Sequence, residues 1–365
     1  MRSVVKLGTS TLTNGTLHLS PPLLIELARQ ISQLQSVGHQ VVLVSSGAIA
    51  AGHEHLDFPP LPKDIPAKQM LAAIGQPRLM ATYEQIFALY DMRVAQILLT
   101  RRDLESRHRY LNARNTLIAL MEHKVIPIVN ENDTVATDEI RVGDNDNLSA
   151  LVANLVDADW LILLTDQPGL YTADPRMHPD ALLVEEITSR EFEPELWQAA
   201  GSGGQGLGTG GMTTKLQAAD LARRSGACCV IAAGKEPNVL LRVAEGEKIG
   251  TRFPPLASSM ESRKRYILSA RQAPGQLIVD DGAAKALRRG ASLLPVGLTA
   301  VSGTFERGDT VRVVVSDAIE IARGIVNYDS PDLVQIVGCP SDKIESILGY
   351  HFGDEVIHHN DLVLL

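Results

Sequence analysis

Residues Val41–Ala48 read VVLVSSGA, four apolar residues in a row followed by Ser-Ser-Gly. So short an apolar run, rich in β-branched residues and without alternation, reads as a strand buried on both faces. Similar runs stand at Val4–Leu7, Val94–Leu99, Val125–Val129, Leu161–Leu164 and Cys229–Ala232. Helical patterns lie between them. In Ser20–Gly38, Leu24, Leu27, Ala28, Ile31 and Leu34 mark one face, and Pro21 and Pro22 stand near the start, where proline is tolerated. Buried strands interleaved with amphipathic helices predict an α/β fold, a mainly parallel sheet sandwiched by helices. Pro127 cannot donate to a ladder, so its strand is expected at an edge or with its pairing broken there.

Ligands of such sheets sit beyond the carboxyl ends of the strands. The polar residues fall there. Val4–Val5 leads to Lys6, Gly8, Thr9 and Ser10, and Val41–Val44 to Ser45–Ser46–Gly47. Val125–Val129 leads to Asn130–Glu131–Asn132–Asp133, and Leu161–Leu164 to Thr165–Asp166. Several strands thus deliver polar tips at one end of the sheet.

The texture changes near Thr251–Gly275, where Pro254, Pro255, Ser258, Ser259 and Arg263–Lys264–Arg265 read as a linker. Beyond it, Gln276–Val279, Val311–Val315, Ile319–Ala322 and Leu333–Val337 are expected as short strands, with a helical patch at Gly282–Gly290. The chain therefore divides into a larger domain over 1–257, a linker over 258–272, and a small, mostly β domain over 273–365. A length of 365 residues agrees with two domains.

A net charge of −9 argues against a general nucleic-acid binder, since phosphate backbones select basic surfaces. Over residues 271–365, 8 Lys/Arg face 13 Asp/Glu, a balance of −5. The three cysteines, at 228, 229 and 339, form no CxxC pair and read as buried free thiols. The N-terminal MRSVVKLG lacks an apolar signal core, and no window approaches 18 uninterrupted apolar residues. A cytoplasmic protein without a membrane span is expected. The ten histidines show no HExxH or other ligand spacing, so no protein-built metal site is expected.

The densest chemical signal is Leu207–Ala222, LGTGGMTTKLQAADLA. Glycines at 208, 210 and 211 feed a helical pattern that runs to Gly226, with Lys215 in its first turn. A glycine turn opening a helix offers unpaired N–H groups and the positive dipole end to an anion. The competing reading is a surface loop before an ordinary helix. Gly206–Gly211 matches GxGxxG but follows a Gly/Ser/Gln loop rather than a strand, and Lys215 lies outside a Walker A pattern. Arg141–Asn147, RVGDNDN, is either Asn/Asp turn chemistry or a polar turn offered to an amino-acid ligand. Lys6, inside an apolar strand, needs an anionic partner or a route to solvent. The arginine-rich Thr100–Arg114 reads as a solvated helix face with local ion pairs.

Taken in order, VVKLGTS from Val4, VSSGAIAAG from Val44, VNENDTVAT from Val129, VGDNDNLSALVA from Val142, LLTDQPGLYTADPR from Leu163 and GTGGMTTKLQAADLA from Gly208 resemble the amino-acid kinase family. The resemblance is to its glutamate-phosphorylating branch and covers essentially the whole chain, since the C-terminal part is similar to the PUA domain many such enzymes carry. It implies ATP-dependent phosphorylation of the γ-carboxylate of L-glutamate, the first step of proline biosynthesis. By position, Lys6, Thr165, Asp166, Thr209, Gly210, Gly211, Met212, Thr213, Thr214 and Lys215 would contact ATP. Ser46, Asp133 and Asn145 would hold glutamate, and Asp146 would orient the catalytic Lys6 and Lys215. The resemblance further implies Mg2+ with ATP, a homo-oligomer (dimer or tetramer), feedback inhibition by proline and hand-over to glutamyl phosphate reductase. Aspartate, acetylglutamate and carbamate are the competing acceptors within the family. A PUA-like domain raises RNA as a partner, against which the local charge argues.

The residues fit this chemistry on their own terms. Bringing a carboxylate to a phosphoryl group costs roughly 4 kcal/mol per like-charge pair at about 4 Å and an effective dielectric near 20. That is about three decades in rate. Positive groups must flank the transferring group, and no general base is needed because the nucleophile is already ionised.

Overall fold

Strand β1 (Arg2–Leu7) lies between β2 (Gln40–Ser45) and β5 (Trp160–Thr165), parallel to both, with Val4 opposite Val42 on one side and Leu161 on the other. The computed structural model describes the chain apart from residues 63, 137–144, 176, 202–210, 259–260, 262–266, 269–273 and 316–318. With β3 (Arg93–Leu99), β4 (Val125–Glu131), β6 (Cys228–Ala233) and β7 (Thr251–Phe253), the strands form one sheet in the order β3-β4-β2-β1-β5-β6-β7. All neighbours run parallel except β7, antiparallel to β6.

Helices cover both faces, as unalternated apolar strands require. Side chains alternate along β1. Val5 and Leu7 join a core with Leu24, Leu27 and Ile31 of α2 (Pro21–Ser36) and Leu79, Tyr83 and Phe87 of α4 (Ile65–Ala88). Lys6 faces the other way, toward α7 (Asn145–Leu155) and α9 (Met212–Ser225). Helix α9 stops at Gly226, where the sequence pattern ends. Helix α4 begins at Asp64, whose carboxylate accepts from the Ala67 N–H at 2.9 Å, and it carries Pro77 inside. It packs on α3 (Ala48–His55) at two glycines. Helices α1 (Thr9–Leu12), α5 (Arg101–Glu105), α6 (Arg107–Glu122) and α8 (Pro194–Gly201) lie in the connections between strands.

Pro127 does not put β4 at an edge. The ladder to β3 runs past it, Ala95 opposite Pro127, while the ladder to β2 starts only at Ile128. The broken-pairing expectation is the one observed. Thr251–Phe253, where the sequence texture changes ahead of the expected linker, is the edge strand β7. Both its Thr251 and Phe253 are fully buried.

By contacts the chain forms two compact units, Met1–Leu104 with Ala113–Ser258, and Glu105–Asn112 with Ser259–Leu365. The second holds a sheet in the order β12-β11-β10-β8-β9, from β8 (Gly275–Val279), β9 (Leu298–Gly303), β10 (Thr310–Val314), β11 (Glu320–Ile325) and β12 (Leu362–Leu364). Only β8 and β10 pair in parallel. Leu333–Val337, expected as a strand, belongs to the helix Ser330–Ile336, because Asp329 at the N-cap and Pro331 in the first turn start a helix there. The patch near Gly282–Gly290 is the helix Asp281–Arg288, capped by Asp280 on the Ala283 N–H at 2.7 Å. Within the expected linker, Ile267 is fully buried with Ile325 and Val363. No helix of the described residues is long and apolar enough to cross a membrane.

Candidate functional site

The first turn of α7 is the hinge point of the site, because two adjacent residues there serve two different clusters. Asp146 has no exposed surface. Its Oδ1 lies 2.6 Å from the Lys6 ammonium. Its Oδ2 accepts from Thr214 Oγ1 at 2.7 Å and from Lys215 Nζ at 3.2 Å. Strand β1 supplies Lys6, and the first turn of α9 supplies Thr214 and Lys215. One carboxylate thus holds two buried ammonium groups, from strand and helix, in one place.

The electrostatics follow from burial and charge. Burial alone would raise the Asp146 carboxyl, but Lys6, Lys215 and the Thr214 hydroxyl together hold it well below the usual carboxylate range. Burial pulls the Lys6 ammonium down from its ordinary value; Asp146 opposes that, and Lys215 adds to it. Two ammonium groups gathered at one carboxylate make a setting for a further anion. Gly8 keeps the space beside Lys6 open, since a Cβ there would come 3.3 Å from Nζ. Helix α9 opens on Gly211 with no side-chain cap, so the first turn that carries Thr214 and Lys215 leaves N–H groups open to an anion.

Asn145, one residue before Asp146, serves the second cluster. Its Nδ2 donates to Ser46 Oγ at 2.9 Å and to Asn130 Oδ1 at 3.1 Å. Ser46 follows β2, and its backbone N–H donates to the Leu7 carbonyl at 3.0 Å, which ties the two strand tips together. Asp133 stands in the turn after β4. Burial pushes its carboxyl up to about 6, and no described residue neutralises it. A half-buried carboxylate with no cation beside it is suited to receive one.

The described structure therefore brings Lys6, Asp146, Thr214 and Lys215 together, and Ser46 with Asn145. Thr165 ends β5 and donates from Oγ1 to Asp166 Oδ1 at 3.0 Å, Asp166 being exposed. Gly211, Met212 and Thr213 form the start of α9. Thr209 and Gly210 lie outside the described residues, as do 141–144 of the RVGDNDN turn. Gln76 and Tyr83 carry no signal in the sequence, and Asn130 and Gly8 stood out there only as strand-tip residues with no role assigned. Asn130 was within reach, as a polar residue at a strand tip three positions before Asp133. Tyr83 shares a 2.7 Å hydrogen bond with Ser45 Oγ across the core, a contact with no local sequence signal.

The chain matches known proteins along nearly its whole length. Residues 1–233 match the amino acid kinase family and residues 275–348 the PUA domain. Glutamate 5-kinase from Photobacterium profundum is 54% identical over 363 residues, covering 99% of this chain and 96% of that protein. Glutamate 5-kinase from Herpetosiphon aurantiacus is 54% identical over 364 residues, covering 100% and 98%. That from Deinococcus radiodurans is 52% identical over 366 residues, covering all of both. With a model match over residues 1–233 and relatives this similar along the whole chain, the protein belongs to the amino acid kinase family.

Proposed function

We propose that the protein transfers the γ-phosphoryl group of ATP to the γ-carboxylate of L-glutamate, giving L-glutamyl 5-phosphate, the first step of proline biosynthesis. The observation that carries this reading is the buried Lys6–Asp146–Lys215 triad. The substrate carboxylate is already the nucleophile, so the site needs position and positive charge rather than a base. Lys6 and Lys215 stabilise the charge that builds on the transferring group, and Asp146 keeps both ammonium groups aligned. Thr209, Gly210, Gly211, Met212, Thr213 and Thr214 bind the ATP phosphates, and Thr165 and Asp166 lie toward the nucleotide. Ser46, Asn145 and Asp133 hold glutamate, with Asp133 paired to its ammonium.

Mg2+ belongs to this reading as an ion carried by ATP. Among the described residues no group of three or more His, Cys, Asp or Glu is placed to hold a metal, and both oxygens of Asp146 are engaged by lysines and Thr214. The donor set does not fit a protein-built Mg2+ site, and no step runs through one. The division 1–257 and 273–365 is read as kinase and PUA-like domains, in a cytoplasmic homo-oligomer, dimer or tetramer, inhibited by proline and handing its product to glutamyl phosphate reductase. An ADP-release assay across glutamate, aspartate, acetylglutamate and carbamate tests the substrate. Turnover highest with glutamate is expected, and a preference for any other acceptor overturns the reading.

A further inference from the structure

Behind Asn145 lies a chain of side-chain amides whose polarity is fixed at one point. The backbone N–H of Glu131 donates to Asn130 Oδ1 at 2.8 Å, and an N–H cannot reverse its role. Asn130 Oδ1 is therefore an acceptor, and its Nδ2 turns away to donate to Gln76 Oε1 at 2.8 Å. Gln76 Nε2 donates in turn to Gln96 Oε1 at 3.0 Å. On the other side Asn130 offers Asn145 only an acceptor, so Asn145 must present its NH2 group, 3.1 Å away. The carbonyl oxygen of Asn145 is thereby forced to the opposite side. That Oδ1 is buried and has no partner among the described residues. A buried acceptor left unmet is costly, so its natural occupant is a donor on the ligand.

We propose that Gln76, on helix α4, is a positioning residue for substrate recognition. It locks Asn130, Asn130 fixes the Asn145 amide, and the Asn145 carbonyl oxygen is held as an acceptor for the substrate's α-ammonium. The inference rests on the glutamate reading. Gln76 is 9% exposed and Asn130 1%, so neither amide has water to turn to when its partner is lost. Without an acceptor at position 76, the Asn130 NH2 group has nothing to hold it. Only the Glu131 N–H then holds the Asn130 amide, whose unpaired NH2 group lets it shift, and the Asn145 carbonyl oxygen shifts off the ammonium with it. A specificity for the ammonium group thus depends on a glutamine far from it in sequence.

The test uses the full chain and two near-isosteric changes. Gln76→Met removes the acceptor, and Gln76→Glu keeps an acceptor for Asn130 while the exposed Gln96 amide turns to donate to it. For Gln76→Met the KM for glutamate is expected to rise about tenfold, the usual consequence of one unpaired buried polar atom, with KM for ATP and kcat within about twofold. The ratio of kcat/KM for glutamate to that for glutarate, which lacks the ammonium, falls by a similar factor. Gln76→Glu restores both to within about threefold of wild type. An unmoved glutamate KM in Gln76→Met, or no rescue by Gln76→Glu, overturns the proposal. Should Gln76→Met fail to fold, Gln96→Leu at the exposed end carries the test: glutamate KM up by about twofold supports it, and no change overturns it. A wild type inactive on glutamate overturns the substrate reading and this inference together, whereas an active wild type with an unmoved Gln76→Met overturns the inference alone.

Discussion

A carboxylate with no exposed surface, held between two ammonium groups, constrains what each lysine does. Asp146 fixes both by ion pair, so neither Lys6 nor Lys215 spends conformational freedom when the phosphoryl group arrives. Removing one charge from beside the transferring group forfeits up to about 4 kcal/mol at an effective dielectric near 20. Lys6→Ala and Lys215→Ala are each expected to lower kcat by at least about tenfold, with glutamate KM less affected. Steady-state kinetics at saturating ATP checks this, and wild-type turnover in either variant would remove the two-lysine arrangement. Asp133 answers to pH. Its carboxyl is raised to about 6 by burial, so below that pH it is protonated and cannot pair with an ammonium. Glutamate KM is expected to rise about tenfold per pH unit below 6, and Asp133→Asn to raise KM and flatten the profile. Stability runs the opposite way. The folded value lies above the unfolded one of about 3.9, so this group destabilises the fold as pH rises from about 4 to 6. Asp133→Asn should therefore melt higher than wild type at pH 8 and equal to it at pH 4. The lysines, Asp146 and Asn145 were legible as polar residues at strand tips or in one dense turn. Asn130 was legible as a strand tip but not as a partner of Gln76, and Gln76 was not legible at all, because what marks it is a partner far away in sequence.

At the scale of elements, the first turn of α7 does the joining. Its residues 145 and 146 project to different sides, so one helix start sets the spacing between the glutamate cluster and the lysine cluster. The sheet was legible because buried parallel strands write themselves as unbroken apolar runs. Short elements were not. Thr251–Phe253 is too brief to show a pattern, and Leu333–Val337 carries strand-like residues inside a helix started by Asp329 and Pro331. The packing of α3 on α4 was invisible for another reason, since it is written in glycines. A Cβ on Gly75 would lie 1.8 Å from the Ala48 carbonyl oxygen, and one on Gly52 2.1 Å from that of Leu71. Helix backbones this close exclude even a methyl group. Gly75→Ala is expected to cost about 3 kcal/mol despite alanine's better helix propensity, read as a lower urea midpoint at unchanged slope. Gly246→Ala, with nothing within 4 Å of the added Cβ, separates crowding from backbone strain, because its φ of +82° leaves only the conformational cost. Equal losses in the two variants would refute the close-packing argument.

Across the whole molecule, each of the two units has a large apolar core of its own among the described residues. One gathers Val5, Leu7, Leu27, Ile31, Leu43, Leu79 and Phe87, and the other Leu277, Phe305, Val311, Val313, Tyr328 and Leu333. The shift from unbroken to alternating apolar patterns announced them, and the grouping of Glu105–Asn112 with the second unit had no such signal. Units with separate cores unfold as separate cooperative steps unless a large apolar interface couples them. Every residue placed in the candidate site belongs to the first unit. A ligand that binds only the folded form stabilises by mass action, about 2.7 kcal/mol at 100 times its Kd. For a unit of this size that is a shift of roughly 5–10 °C. Calorimetry of the full chain is therefore expected to show two transitions, of which ATP with glutamate raises one and leaves the other in place. Lys215→Ala, which removes a cation from the phosphate side, should shrink that shift while leaving the unliganded second transition where it was. A single transition that moves as a whole would mean that the two cores are energetically one, and that the site's ligands are felt in both.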